Sequence, residues 1–429
     1  MKTTVKKIFF IISLSVFIVP LVETQFRFFH LDSLKGAYTR KNKPLFTDST
    51  WFNGKFQSPY EEYINDTVGF RSLLVKFSNQ LDYSFFNKLH AYDIVVGKNN
   101  SLQATTHYDA YLGKLNIPYR SIDSLSNKLK LLQDTLSKKN ISLIFVFAPS
   151  KGSFAISEAP YSYDTTRKNL SWYSQYLSAF NKKGITYFDF NRYYLDAKNR
   201  TPYPLYTKYG IHWSYVSCAY AFDTLCRFIN QKRNIILPSV KFKNPIAADK
   251  PYKEVDIDLT PSLNLLFPIK FDEKFWMPDF IVNADSSSAK VNALFVTDSY
   301  FWNITSLGLH DEIFNHWSFW YYNDTGYEKN NPGSFLVSSR DIGKEIEKHQ
   351  VIVIMATFTN LDNPGWGFID RAYNHYFPAE DKKLKEIIAQ IKSNEGWLES
   401  VRKKAIINGN SLDKQIYEDA VYLYNKNKN

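Results

Sequence analysis

Two stretches of the chain, ISLIFVFA (residues 141–148) and VIVIMATF (residues 351–358), are apolar at almost every position. Runs of this length without polar alternation predict strands covered on both faces, as in a parallel sheet. A third run, VNALFVTDSYFWN (residues 291–303), reads as a buried strand that passes through Thr297, Asp298 and Ser299 and then straight into aromatics. Between these runs the apolar positions fall at helical spacing. SIDSLSNKLKLLQDTLSKKN predicts an amphipathic helix capped by Ser121 or Asp123, and SWYSQYLSAFNKKG and SYVSCAYAFDTLCRFINQ predict two more. ITYFDF and HWSFWYYN predict further strands, and AYDIVVGKNNSL a short one at Ile94–Val96. From Tyr60 onward two helices are expected, joined by an elbow near Gly69. Residues 232–290 read as a long irregular connection. The alternation predicts an α/β fold with a mostly parallel sheet flanked by helices.

The ends of the chain read differently. Lys6 and Lys7 precede an apolar run over residues 8–22, and Glu23, Thr24, Gln25 and Phe26 follow it in place of a small-residue cleavage site. This pattern predicts an uncleaved signal anchor over residues 1–25, with the rest of the chain exported. An α/β domain is expected over residues 45–378 and a helical C-terminal extension over residues 379–429. At 429 residues the chain can bury a large core. Its formal charge is +11, but the basic residues are spread along the sequence, which argues against a nucleic-acid partner. The two cysteines, Cys218 and Cys226, sit on one predicted helix about 12 Å apart, too far to bridge. Aromatics make up 17% of the chain, enough to fill a core and also to line a sugar-stacking groove.

The carboxyl ends of the strands are where an α/β sheet places its ligands. Ser299 lies just past such an end, where an ordinary helix cap is the competing reading. A serine nucleophile needs a base, so the histidines matter. His349 closes a helix and His316 lies in an aromatic strand, both ordinary packing positions. His212, in YTKYGIHWSY, stands on a glycine-containing turn immediately before a helix, where it can reach a serine on a neighbouring strand. The chain contains no phosphate-binding glycine loop, no dinucleotide fingerprint and no H-E-x-x-H or C-x-x-C pair, so neither a cofactor nor a metal is expected.

Taken in order, WFNGKFQSPYEEYINDTVGFR, IVVGKNNSL, FAPSK, GIHWS and FVTDSYF resemble the SGNH-hydrolase-like alginate O-acetyltransferase family, the AlgJ and AlgX group, over roughly residues 45 to 370. The resemblance implies an exported protein held in the inner membrane by a single N-terminal anchor, with its domain on the periplasmic side. It implies acetyl transfer to hydroxyls of a cell-surface or secreted polysaccharide, with acyl groups supplied by a membrane-bound O-acyltransferase partner. Ser299 in TDSY matches the family's nucleophile and His212 in IHWS its base. The family's Asp-x-His block is broken here, because Gly210 stands where the aspartate is expected. The orienting acid is then Asp298 or Asp189, or a Ser-His pair acts alone. Lys151, in FAPSKGSF, is a candidate contact for an anionic sugar or a solvated loop residue. Arg71, in the elbow, reads as a packing residue. Gly210 also leaves open a catalytically silent polysaccharide-binding or assembly protein on the same fold, and a carbohydrate esterase shares the same residues.

Overall fold

The computed structural model describes residues 2–36, 40–115, 119–284 and 286–426. Seven strands form the central sheet: β1 (Ser142–Phe147), β2 (Tyr187–Asp189), β3 (Asn292–Thr297), β4 (His316–Tyr321), β5 (Thr325–Glu328), β6 (Asn331–Leu336) and β7 (Val351–Ala356). Their order across the sheet is β6-β5-β4-β3-β7-β1-β2. The four contacts from β4 to β2 are parallel, and the two at the β5 and β6 edge are antiparallel. The mostly parallel α/β expectation therefore holds.

The continuous apolar runs are explained by the register. Phe295, Val353 and Ile144 sit side by side on β3, β7 and β1, and all three enter one core. Their neighbours Leu294, Ile352 and Leu143 form the matching row on the other face, in a second core. With both faces covered, polar alternation has no place in these strands. Burying such side chains contributes about 1.5–3 kcal/mol each.

Helices supply the covers. Among the helices are α1 (Lys2–Phe26), α2 (Gln57–Thr67), α3 (Arg71–Phe86), α4 (Tyr119–Ser137), α5 (Trp172–Lys183), α6 (Tyr215–Arg233), α7 (Phe301–Leu307), α8 (Ile342–Glu347) and α9 (Phe368–Tyr376), of which α4 to α9 lie against the sheet. α6 brings Phe222, Leu225 and Ile229 to the first core. α4, α5 and α9 bring Leu129, Leu132, Phe180 and Ile369 to the second. Three C-terminal helices, α10 (Pro378–Ser393), α11 (Glu395–Asn408) and α12 (Leu412–Lys426), share their own small core of Ile387, Ile391, Val401, Ile416 and Ala420. Lys128 of α4 binds Asp370 of α9 at 2.6 Å and also meets Tyr417 of α12.

Two expectations are corrected. Ser121 and Asp123 are not the caps of α4, which begins at Tyr119. Their side chains have tertiary partners instead, Glu418 at 3.2 Å and Lys183 at 2.7 Å. The connection over residues 232–290 is not wholly irregular. Ser239–Phe242 pairs with Phe280–Asn283, and Ile246–Ala248 with Phe275–Met277, both antiparallel.

α1 is long and apolar enough to cross a membrane, with a mean hydropathy of 2.2 over its apolar span and no part of that span buried.

Candidate active site

β3 ends at Thr297, and the backbone turns through Asp298, Ser299 and Tyr300 into α7. The turn is held from within. Asp298 is fully buried and accepts from the N–H groups of Tyr300 at 3.1 Å and Thr357 at 2.7 Å and from Asn360 Nδ2 at 3.0 Å. Burial raises its carboxyl pKa despite these donors. Its carboxylate is thus committed to tying the end of β3 to the segment that follows β7, and it leaves Ser299 half-buried at the rim.

His212 comes from the loop before α6. Its Nε2 lies 2.8 Å from Ser299 Oγ. The two loops are stitched together along their length: Tyr300 Oη donates to the Ile211 carbonyl at 2.9 Å, Trp213 Nε1 to the Tyr300 carbonyl at 3.1 Å, and Asn303 Nδ2 to the Trp213 carbonyl at 3.1 Å. The Tyr300 ring packs 4.7 Å from the imidazole. Three side chains, Tyr300, Trp213 and Asn303, therefore fix a contact between positions 87 residues apart.

The imidazole's other nitrogen, Nδ1, is hydrogen-bonded to Asp258 Oδ2. The second carboxylate oxygen, Oδ1, accepts from the Ile211 N–H at 2.8 Å. One carboxylate thus holds both the ring and the backbone beside it. Asp298 and Asp189 do not occupy this place. Asp189 caps the helix Phe190–Ala197 through the Arg192 N–H at 3.1 Å and accepts from Tyr173 Oη at 2.6 Å.

Gly210 explains how Asp258 arrives. A Cβ at this position would sit 2.7 Å from the Val255 carbonyl, 2.8 Å from Thr207 Oγ1 and 3.0 Å from the Asp256 carbonyl. The glycine lets the 255–256 backbone lie directly against the histidine loop, and that approach carries Asp258 to the ring. Thr207 Oγ1 completes the seam, donating to the Asp256 carbonyl at 2.5 Å and accepting from the Gly210 N–H at 3.0 Å. An aspartate at 210 and the observed course of this segment exclude each other.

Lys151 does not face a sugar site. It is 2% exposed, and its Nζ donates to the carbonyls of Gly210 at 2.5 Å, Thr207 at 2.9 Å and Leu102 at 3.0 Å. Burial lowers its pKa to about 8, with Asp258 the leading opposing charge. The sequence reading placed it in a loop, and the structure makes it a clamp on the histidine loop from beneath. His107 lies nearby with a buried, unpartnered Nδ1, and burial lowers its pKa to about 4, so it is neutral at physiological pH.

Two residues of the site had no signal in the sequence. Asp258 stands in EVDIDLT, inside a segment without a motif. Tyr322, at the turn after β4, has a left-handed backbone (φ 50°) and sets its side chain against Ser299. Burial pushes its hydroxyl up to about 12, so it remains a donor at neutral pH.

Burial raises the carboxyl of Asp256 to about 6 and that of Glu273 to about 7. Glu273 accepts from the Lys208 N–H at 2.7 Å, on the same loop as His212. Between about pH 4.5 and 7 the folded chain retains protons that the unfolded chain releases, so these groups make stability fall as pH rises through that window. Glu273→Gln keeps the acceptor oxygen and removes the titration. Its urea midpoint is expected to match wild type near pH 4.5 and to exceed it at pH 7.5.

Comparisons with known proteins come to the same region. Residues 119–254 match the family model described as the SGNH hydrolase-like domain of the acetyltransferase AlgX. The match includes His212 and ends short of Asp258 and Ser299. A search of curated proteins finds no match. Among solved structures, the O-acetyltransferase domain of Pseudomonas putida AlgJ aligns at 16% identity with a TM-score of 0.42, covering 66% of this chain and 99% of that one. Pseudomonas aeruginosa AlgX aligns at 12% identity and 0.41, covering 65% and 67%, and Bacillus cereus PatB1 at 14% and 0.37, covering 59% and 94%. Over residues 119–254 the chain is therefore similar to the SGNH hydrolase-like domain of the acetyltransferase AlgX, the resemblance that its ordered sequence blocks carry.

Proposed function

We propose that this chain is a serine O-acyltransferase, acetyl being the group its resemblance favours, which acylates hydroxyls of an extracytoplasmic polysaccharide. The observation that carries the reading is the unbroken hydrogen-bonded series Ser299 Oγ, His212, Asp258 at the carboxyl rim of the sheet. The match to an acetyltransferase domain supports transfer as the chemistry.

In the first half-reaction Ser299 Oγ attacks the carbonyl carbon of the acyl donor while its proton passes to His212 Nε2. Collapse of the tetrahedral intermediate breaks the donor's acyl bond, and the imidazolium returns the proton to the departing group. In the second half an acceptor hydroxyl gives its proton to Nε2 and attacks the serine ester. The acyl group moves to the sugar, and Ser299 leaves with the proton. Asp258 keeps the ring's Nδ1–H toward itself, so that Nε2 faces the serine as an acceptor, and it stabilises the imidazolium. Tyr322 supplies a hydroxyl donor beside the reacting oxygen.

α1 is the membrane anchor in this account, with Lys6 and Lys7 on the cytoplasmic side and the catalytic domain outside. A membrane-bound O-acyltransferase is the expected source of acyl groups. The reading of a silent binding protein drew on Gly210, and the presence of Asp258 beside His212 weighs against it.

The test is transfer itself. Purified full-length protein, given an activated acetyl ester and a set of neutral and uronic-acid oligosaccharides, is expected to produce an acetylated oligosaccharide detectable by mass spectrometry. Release of free acetate alone with every acceptor would instead make the chain an esterase, and no turnover of either kind would favour the binding protein.

A further inference from the structure

α3 is built the wrong way round for a helix on a soluble surface. At 100° per residue, Leu73, Leu74, Phe77, Leu81 and Phe85 fall within an arc of about 120°. All five are exposed, Phe77 by 51% and Phe85 by 74%. Ser84 lies within the same arc, and two other polar side chains, Asn79 and Gln80, are turned to the protein. Asn79 Nδ2 donates to the Leu263 carbonyl at 3.1 Å, and Gln80 Oε1 accepts from the Phe267 N–H at 3.0 Å. A stripe of this size turned to water is unfavourable, so an apolar phase is expected to cover it.

What covers it is indicated by where α3 begins. The elbow between α2 and α3 packs on the end of α1. Gly69 N–H donates to Thr24 Oγ1 at 2.7 Å, and Arg27 reaches the Thr67 carbonyl at 2.5 Å. A side chain at Gly69 would collide with the Pro20 carbonyl and the Glu23 side chain, so glycine is required for this approach. The rings of Phe29 and Phe70 close the junction at 5.5 Å. α3 therefore starts at the level where the chain leaves the apolar span.

We infer that the Leu73–Phe85 face of α3 is seated in the lipid of the bilayer that α1 crosses, as an interfacial helix. The inference rests on the anchor reading of α1. Through Asn79 and Gln80, α3 then connects the membrane surface to residues 263–267, which follow Asp258 closely in the chain. The active-site rim is thereby held at a fixed attitude to the membrane.

The test uses the full chain in nanodiscs of phosphatidylcholine and phosphatidylglycerol, with an environment-sensitive fluorophore on single introduced cysteines. The natural Cys218 and Cys226 are buried. Phe77→Cys and Leu81→Cys report on the stripe, Phe17→Cys on the anchor, and Ile407→Cys on an exposed position in the C-terminal helices. Nitroxide-labelled lipid is expected to quench the label at 77 and at 81 several-fold more than at 407. Quenching at 17 but not at 77 and 81 overturns the inference and leaves the anchor standing. Labels at 77 and 81 that are shielded from water yet not quenched by lipid mean that protein covers the stripe, which also overturns it. Absence of quenching at 17 removes the anchor reading and overturns the inference with it, whatever the labels at 77 and 81 report.

Discussion

Ser299→Ala is expected to lower acyl transfer by about 10⁴- to 10⁶-fold, the range seen when a serine nucleophile is removed and only binding and oxyanion contacts remain. The size of the effect follows from the site's connectivity. Ser299 Oγ is the atom that His212 Nε2 addresses, and Asp298, the adjoining carboxylate, is committed to Tyr300, Thr357 and Asn360. Removing one oxygen atom leaves those supports intact, so the variant's thermal unfolding should stay close to wild type. The rate is read from acetate or acetyl-sugar formation with an activated ester. Activity near the wild-type level would remove Ser299 from the mechanism.

Asp258→Asn is the second large effect, about 10⁴-fold in kcat, equivalent to about 5.5 kcal/mol of transition-state stabilisation. The Ile211 N–H at 2.8 Å decides how the new amide sits. Its carbonyl oxygen must face that donor, which turns its NH₂ toward His212 Nδ1. The imidazole then carries its proton on Nε2, pointing at Ser299, and cannot take the serine's proton. The fold should tolerate the change, because both hydrogen bonds are kept. Gly210→Asp, which restores the family's Asp-x-His block, is expected to reduce both activity and stability, because its side chain meets the Val255 carbonyl and Thr207 Oγ1. A Gly210→Asp, Asp258→Asn double variant that regained wild-type turnover would show the carboxylate to be portable and would contradict the account of the seam.

The sequence carried the sheet and the Ser-His contact for separate physical reasons. Residues buried on both faces are apolar at every position, so β1, β3 and β7 stand out in a single chain. A polar Asp-Ser step at the end of such a strand, and a histidine on a glycine turn before a helix, both mark the rim where the sheet's ligands gather. The carboxylate was not legible. Asp258 sits in a segment of short strands and turns whose pairing depends on long-range contacts, and its approach to His212 is permitted by the missing side chain at Gly210. An absence in a motif marked a close approach of the backbone. Lys151 shows a related limit: a lysine after a strand is usually solvated, and only the fold brings four carbonyls, those of Leu102, Thr207, Lys208 and Gly210, around this one. The cap of α4 was misplaced because Ser121 and Asp123 are engaged by Glu418 and Lys183, partners far along the chain.

The central claim is that Ser299 itself carries the acyl group between donor and acceptor. Brief reaction of the full-length protein with an activated acetyl ester, acid quenching and peptide mass spectrometry test it directly. The account predicts one acetyl group on the peptide containing Ser299, lost on adding the acceptor and missing in Ser299→Ala. A wild-type chain that turns over while this peptide stays unmodified, or an acceptor-sensitive acetyl group on any other residue, would contradict it.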